Sequence, residues 1–353
     1  MKTDRIEIVY DSKWCKRIGR VFETKIKVNL SDSKKENWRL VEKDEKGTII
    51  DNSLPFQYDP LNESALSSGI LSVYLEGESI KPRRYFTLLL DGKNSGIEKL
   101  VWIKKDDLAW EDEAAYEIIT PLCRYIFHKD CGGFAGIIDN DGNDWISYHN
   151  SGGSDGAYRG IPNMIFTPQG GTFHPGSPGC STEILSRGPI KVTLLSESSY
   201  FGVKVKWDIY PEYATMTVVE SSINYWFLYE GTPGGRLEEG ADYMVLPTGE
   251  MKKASESWHG YGIPWIIFAD GNTDRGLFLI RHGSFGNTED SYWPMEQNMT
   301  VWGFGRAKRQ EPLTQYHSER NVKFTIGLVE NANAEEAAEK VASCRMSDKA
   351  TVY

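Results

Sequence analysis

The sequence predicts an all-β protein, a small sandwich followed by a large one, with a single helix near the end. Three observations carry that expectation. Apolar residues recur with a period of two along most of the chain, Asp-Gly pairs fall between or just after such runs, and only one segment has the signals of a helix.

The alternation is clearest in "RVFETKIKVNL", where Phe22, Thr24, Ile26, Val28 and Leu30 lie opposite Val21, Glu23, Lys25, Lys27 and Asn29. It recurs in "YFGVKVKWDIYP", with Phe201, Val203, Val205, Trp207 and Ile209 on one face and Lys204, Lys206 and Asp208 on the other. Runs such as "YFTLLLD", "LVWIKK", "ATMTVVES", "PWIIFAD", "GLFLIRHG" and "VKFTIGLVE" read as further strands. Asp91-Gly92, Asp141-Gly142 and Asp270-Gly271 supply hairpin turns, because glycine accepts the positive φ of a tight turn. The helix is expected in "NAEEAAEKVASC": Asn333 caps it, Glu336 is placed for a capping box, and Ala337, Val341 and Cys344 share a side. A boundary near "GKNSGIEKL" divides the chain into residues 1–95 and 96–353.

With 353 residues, 40% of them hydrophobic, the chain can bury a large core. A net charge of −10 argues against a nucleic-acid partner, which calls for clustered Lys and Arg. No apolar run is long enough for a membrane span, so no membrane partner is expected. The start lacks the apolar core of a secretion signal. A cytoplasmic location follows for the chain as given, or a secreted or periplasmic one if a leader has been trimmed. Five scattered cysteines without a C-x-x-C pair read as reduced thiols, and no metal or other cofactor is expected.

Residues 137–149, "IIDNDGNDWISYH", set aspartates around a glycine. A calcium loop of the EF-hand type needs glycine at its sixth position and glutamate at its twelfth. Counted from Asp139, glycine falls fourth and Asn150 twelfth. The stretch therefore reads as a hairpin whose outgoing strand sets Trp145, Ser147 and His149 on one face and Ile146 and Tyr148 on the other.

From His149 to Gly179 the chain is rich in glycine and proline and has little periodicity, as functional loops do. It carries His149, Tyr158, Arg159, Asn163 and His174. In "YWFLYEGTPGGRLEEGADYMVLPTGE", Glu230 sits at a strand end, with Arg236, Asp242 and Tyr243 in the loop behind it. Glu230 is there either as an acid or base, or as a salt-bridge partner of Arg236. Trp258, His259 and Tyr261 in "ESWHGYGIPW", and His282 in "IRHGSFGN", join aromatic rings to hydrogen-bonding groups. Sugar sites use such pairs, stacking CH faces on the rings. Trp207, Trp226, Trp265 and Trp302 are expected in the core.

The stretches "GGFAGIIDNDGNDWISYH", "GAYRGIPNMIF", "YWFLYEGTPGGRL" and "TVWGFGR" resemble those of bacterial proteins with the galactose-mutarotase-like β-supersandwich, over residues 100–345 or so. That fold is shared by aldose epimerases and by domains of many polysaccharide lyases and glycosidases. The resemblance implies action on plant or algal polysaccharides. Aldose epimerases use two histidines and a glutamate, one histidine protonating the ring oxygen while the glutamate takes the anomeric hydroxyl proton; the resemblance assigns these roles to no position of this chain.

The expected function is that of a carbohydrate-active enzyme on an oligo- or polysaccharide, leaning to lyase-type proton abstraction from a uronic-acid-containing glycan. His149, His174, His259 or Tyr158 would serve as base, and Arg159 would stabilise the developing enolate-like charge. Asn163, Arg236, Asp242, Tyr243, Trp258, Tyr261 and His282 would bind substrate. A glycoside hydrolase would instead use Glu230 and Asp242 as its carboxylate pair. Two further alternatives are a mutarotase-like epimerase and a non-catalytic sugar-binding or accessory protein.

Overall fold

Two nine-stranded antiparallel sheets face each other across an aromatic interior. The computed structural model describes residues 5–12, 18–28, 38–61, 68–77, 82–90, 98–151, 159–164, 173–284, 287–295, 299–309, 311–317, 319–330, 333–345 and 349–353. The front sheet runs in the order Trp258–Tyr261, Glu289–Met295, Met299–Phe304, Phe227–Gly231, Gly160–Asn163, Gly133–Asp139, Cys123–His128, Glu113–Ile119 and Trp102–Trp110. The back sheet runs Ser181–Arg187, Val192–Ser198, Val203–Ile209, Tyr213–Ser221, Val322–Glu330, Arg275–His282, Trp265–Ala269, Tyr243–Val245 and Met251–Lys253.

Period-two alternation explains the interior. Val203, Val205, Trp207 and Ile209 all point inwards and are buried, while Lys204 and Lys206 stay partly exposed on the other face. Rings from the two sheets meet in the gap: Phe134 packs on Trp207 with centroids 4.6 Å apart, Phe227 on Phe324 at 4.3 Å, and Tyr229 on Phe268 at 5.3 Å. Burying each such ring stabilises the fold by about 1.5–3 kcal/mol. Trp207, Trp226, Trp265 and Trp302 are all buried.

A buried ion pair crosses the same interior. Arg281 in the back sheet donates from both terminal nitrogens to Asp290 in the front sheet, each at 3.1 Å. The Asp290 carboxylate also accepts the amides of Ile263 and Gly305, both at 2.8 Å, so it is fully satisfied despite having no exposed surface.

Strands lying between Arg5 and Leu89, together with Lys349–Val352, form a second, smaller sandwich. Arg20–Lys27, Ser68–Leu75 and Phe56–Pro60 make one sheet; the other has the order Lys349–Val352, Arg5–Asp11, Arg83–Leu89, Arg39–Lys43 and Ile49–Leu54. The last strand of the chain therefore pairs with the first, Ile8 opposite Val352. This sandwich has its own core around Phe22, Phe86, Leu40 and Val73. It docks on the back sheet through polar contacts: Gln57 Oε1 accepts the amides of Ile190 and Lys191, both at 2.9 Å, and Tyr74 donates to Glu212 at 2.6 Å.

The one α-helix among the described residues, Ala334–Ser343, begins as expected, with the Asn333 side chain accepting from Glu336 N at 2.9 Å and Ala337 and Val341 buried. Asp270-Gly271 closes the hairpin between Trp265–Ala269 and Arg275–His282. Glycine is required there, since a Cβ on Gly271 would lie 2.2 Å from the Ala241 carbonyl. No described helix is long and apolar enough to cross a membrane.

Two expectations change. Residues 145–149 form no strand; a single bridge joins Ile138 to Asp144. Carboxylates compete with the ladder here: Asp139 Oδ1 accepts the amides of Asp141 and Asn143, and Asp144 Oδ1 those of Ile137 and Ile146. Trp145, Ile146 and Tyr148 are consequently all buried instead of alternating. The carboxylates that suggested calcium serve Arg275, 2.6 Å from Asp139 and 2.9 Å from Asp141. The second change concerns Gly160–Asn163, which forms a strand in the middle of the front sheet. Four residues that include a glycine and a proline are too few to carry a period-two signal.

Candidate functional site

Glu230 stands near the centre of the outer face of the front sheet. Its strand sends Phe227 and Tyr229 into the interior, so Leu228 and Glu230 point outwards. Gly160 lies opposite Glu230 on one side and Val301 on the other. A Cβ on Gly160 would fall 2.5 Å from the Pro175 ring, so glycine is what admits the turn carrying His174.

His174 Nε2 lies 3.0 Å from Glu230 Oε2, with side-chain exposures of only 5% and 9%. An ionised carboxylate can only accept, so in that state of Glu230 the bond runs from Nε2 to Oε2. Asn163 Nδ2 donates to the same oxygen at 3.3 Å.

Arg306 adds a cation to this centre. Its guanidinium carbon lies 3.6 Å from the Trp293 ring centre and 5.2 Å from that of Trp226, and Lys308 Nζ sits 4.6 Å from Trp293. Gly303 makes the room, since a Cβ there would be 2.6 Å from Arg306 Cβ. Burial draws the Arg306 pKa down to about 10, with the Glu230 charge acting in the opposite sense. Asn163 Oδ1 and Arg306 Nη1 are buried with no hydrogen-bond partner among the described residues. Buried polar atoms are nearly always satisfied, so one acceptor and one donor are left for a ligand here.

His128 lies on the same face, opposite Gly133 and Ala115, with its ring edge-on to Tyr148 at 5.0 Å. Burial, with a smaller contribution from His174, draws its pKa down to about 4, so at neutral pH it is an uncharged imidazole.

No family model matches the sequence, and no curated protein matches it. Among solved structures the chain is similar to an α-mannosidase from Enterococcus faecalis, with a TM-score of 0.56 and 10% identity over 100% of this chain and 46% of that one. It is similar also to a protein in glycosyl hydrolase family 38 from the same organism, with a TM-score of 0.58 and 10% identity over 99% of this chain and 47% of that one. A galactose mutarotase related enzyme from Lactobacillus acidophilus matches 62% of this chain with a TM-score of 0.42. The fold is the galactose-mutarotase-like β-sandwich. The chain spans about half the length of the two Enterococcus proteins.

Within this galactose-mutarotase-like sandwich the remaining candidates are dispersed. Tyr158 lies outside the described residues. His149 is half exposed and faces Glu111, with Nδ1 3.4 Å from Oε1, because its segment is not a strand that would carry it to the outer face. Arg159 Nη1 donates to the Ser147 carbonyl at 3.2 Å, bracing the loop. Arg236 is exposed and is not the partner of Glu230, whose hydrogen-bond partners among the described residues are His174 and Asn163. Asp242 accepts the amides of Glu238 at 2.7 Å and Gly271 at 3.0 Å, and burial pushes its pKa up to about 6. It lies beside the back sheet with Tyr243, which pairs with Ala269, so it makes no carboxylate pair with Glu230.

Trp258 packs inward on Trp302, centroids 5.0 Å apart. His259 and Tyr261 remain on the outer face: His259 is opposite Ser291, which in turn is opposite Gly303. His259 Nδ1 lies 3.5 Å from the fully buried Glu289. His282 belongs to the outer face of the back sheet, 2.8 Å from the Thr325 hydroxyl. The sandwich thus gathers His174, Glu230 and Asn163 from the predicted set and adds His128, Trp293 and Arg306. The one sequence signal for Arg306 was the G-x-G before it in "GFGR".

Proposed function

We propose that this chain is a carbohydrate-active enzyme that removes the proton α to the carboxylate of a uronic-acid unit, with His174 as base. The buried His174–Glu230 pair at 3.0 Å, beside Arg306, is the observation that carries this reading. A histidine hydrogen-bonded to a carboxylate is fixed in tautomer and orientation and made more basic, which suits a general base. Arg306 and Lys308 give the sugar carboxylate a cationic seat over Trp293. As the C–H bond breaks, its electron pair builds charge on that carboxylate, and a desolvated guanidinium already in place stabilises it. The pair then becomes the C=C bond as the glycosidic C–O bond breaks, and His174 returns the proton to the departing oxygen.

Hydrolysis has weaker support. It calls for two carboxylates flanking one bond, whereas Glu230 is met by His174 and Asn163 among the described residues, with Arg306 in electrostatic reach. Incubation with uronate-rich and neutral polysaccharides, followed by ultraviolet absorbance for a conjugated product and by a reducing-end assay, tests the reading. New reducing ends without the absorbance would indicate hydrolysis.

A second reading is favoured by one observation, that the chain spans 46–47% of the two glycosidase-related chains it is similar to. It is a sugar-binding part without catalysis. Saturable binding of a polysaccharide with no product in either assay would support it.

A further inference from the structure

The outer face of the back sheet holds a cavity of about 350 Å³, enclosed by the docked small sandwich and the segment just after the helix. It shares no lining residue with the His174 centre. Across the floor runs one cross-strand row: Lys206 opposite Thr217, Thr217 opposite Lys323, and Lys323 opposite His282. Arg20 from the small sandwich and Arg345 from beyond the helix line the same space. Among the described residues, four permanent cations thus face two carboxylates, Glu23 and Asp208.

Both carboxylates are already committed. Lys206 pairs with Asp208 at 2.7 Å, and Lys191 pairs with Glu23. Lys323 and Arg345 make no ion pair among the described residues, and both act on the His282 ring electrostatically, as Arg20 does. This row, with the two arginines beside it, gathers cations in a chain whose net charge is −10. The Thr217 side chain stands between the two lysines as a hydroxyl donor, and Thr325 bonds to both His282 and Thr215 at 2.8 Å.

We infer that this cavity is a binding site for a phosphate group, either free phosphate or that of a small phosphorylated sugar, held by Lys323, Arg345 and the Thr217 hydroxyl. A doubly charged oxyanion offsets the surplus of cations, and hydroxyl and ammonium donors suit its several oxygens. The volume is at the lower end of small-molecule pockets, large enough for one sugar ring with its phosphate. Because the walls come from the small sandwich, the back sheet and the segment after the helix, the ligand would tie all three together.

The test uses the whole chain. Thermal unfolding and calorimetric titration are run with inorganic phosphate, glucose 6-phosphate and glucose, at constant ionic strength set with chloride. Saturable stabilisation by either phosphate compound but not by glucose is expected, with affinity reduced about tenfold or more in Lys323→Gln or Arg345→Gln. Both side chains are exposed at the rim, so the variants fold. Tighter binding of glucose 6-phosphate identifies the sugar phosphate as the ligand; equal binding identifies free phosphate. No saturable effect on the wild type, or an affinity unchanged in both variants, overturns the inference.

Discussion

Glu230 and His174, 56 residues apart in the chain, meet at 3.0 Å on the outer face of the front sheet. Removing either half of this pair separates its chemistry from its packing. His174→Ala and Glu230→Gln are each expected to lower turnover of a uronate polymer about 10²–10⁴-fold, the usual worth of a positioned general base. Circular dichroism should show the strand content unchanged. Activity within a few-fold of the wild type in both variants would exclude this pair as the reacting groups.

Arg306→Lys keeps the charge but loses the planar stacked group on Trp293. The expected result is a KM on uronate substrates raised about tenfold, with a smaller change on the methyl-esterified polymer, whose carboxyl carries no charge. Equal effects on both substrates would show that Arg306 does not recognise the carboxylate.

Asp290 holds the Gly305 amide next to Arg306 and closes the buried pair with Arg281. Asp290→Ala leaves a buried guanidinium without its counter-charge, so a loss of about 3–5 kcal/mol in urea unfolding is expected. The Arg281→Met, Asp290→Leu double variant should recover part of that loss, because it removes both charges from the interior. A single variant as stable as the wild type would mean that water reaches Arg281.

The strands were legible because half-buried sheets impose a period of two, and "YFGVKVKWDIYP" shows it without interruption in Val203–Ile209. The candidate site was legible in part. Glu230 and His174 stood out as polar residues beside turn formers, but their meeting depends on Gly160–Asn163 entering the front sheet, which four residues cannot signal. Arg306 and His128 were missed for a different reason. Each follows an apolar strand pattern directly, and nothing local tells whether such a residue turns to the outer face or to solvent. The spacing of Asp139 and Asp141 argued against calcium, but their partner Arg275 was not legible, since it is more than 130 residues away.

Acid should weaken the fold through two histidines. His128 and His282 have pKa values drawn down to about 4, chiefly by burial, against about 6.5 in an unfolded chain. The folded state keeps them neutral while the unfolded chain takes up protons. Stability is therefore complete above a pH of about 6.5 and is lost as the pH falls towards 4, by up to about 1.4 kcal/mol per pH unit for each group. Urea midpoints measured between about pH 7 and pH 5 should fall, and His282→Gln should flatten the slope. An unchanged slope in that variant would mean that His282 is protonated in the folded state.

The pairing of Lys349–Val352 with Arg5–Asp11 has a consequence for how the molecule is made. During synthesis the small sandwich stays one edge strand short until Lys349–Val352 has been translated, and Arg5–Asp11 offers an unfilled ladder on that side throughout that time. Its completion is a long-range closure that comes after the large sandwich has had the chance to assemble, so Lys349–Val352 acts as the latch on Arg5–Asp11.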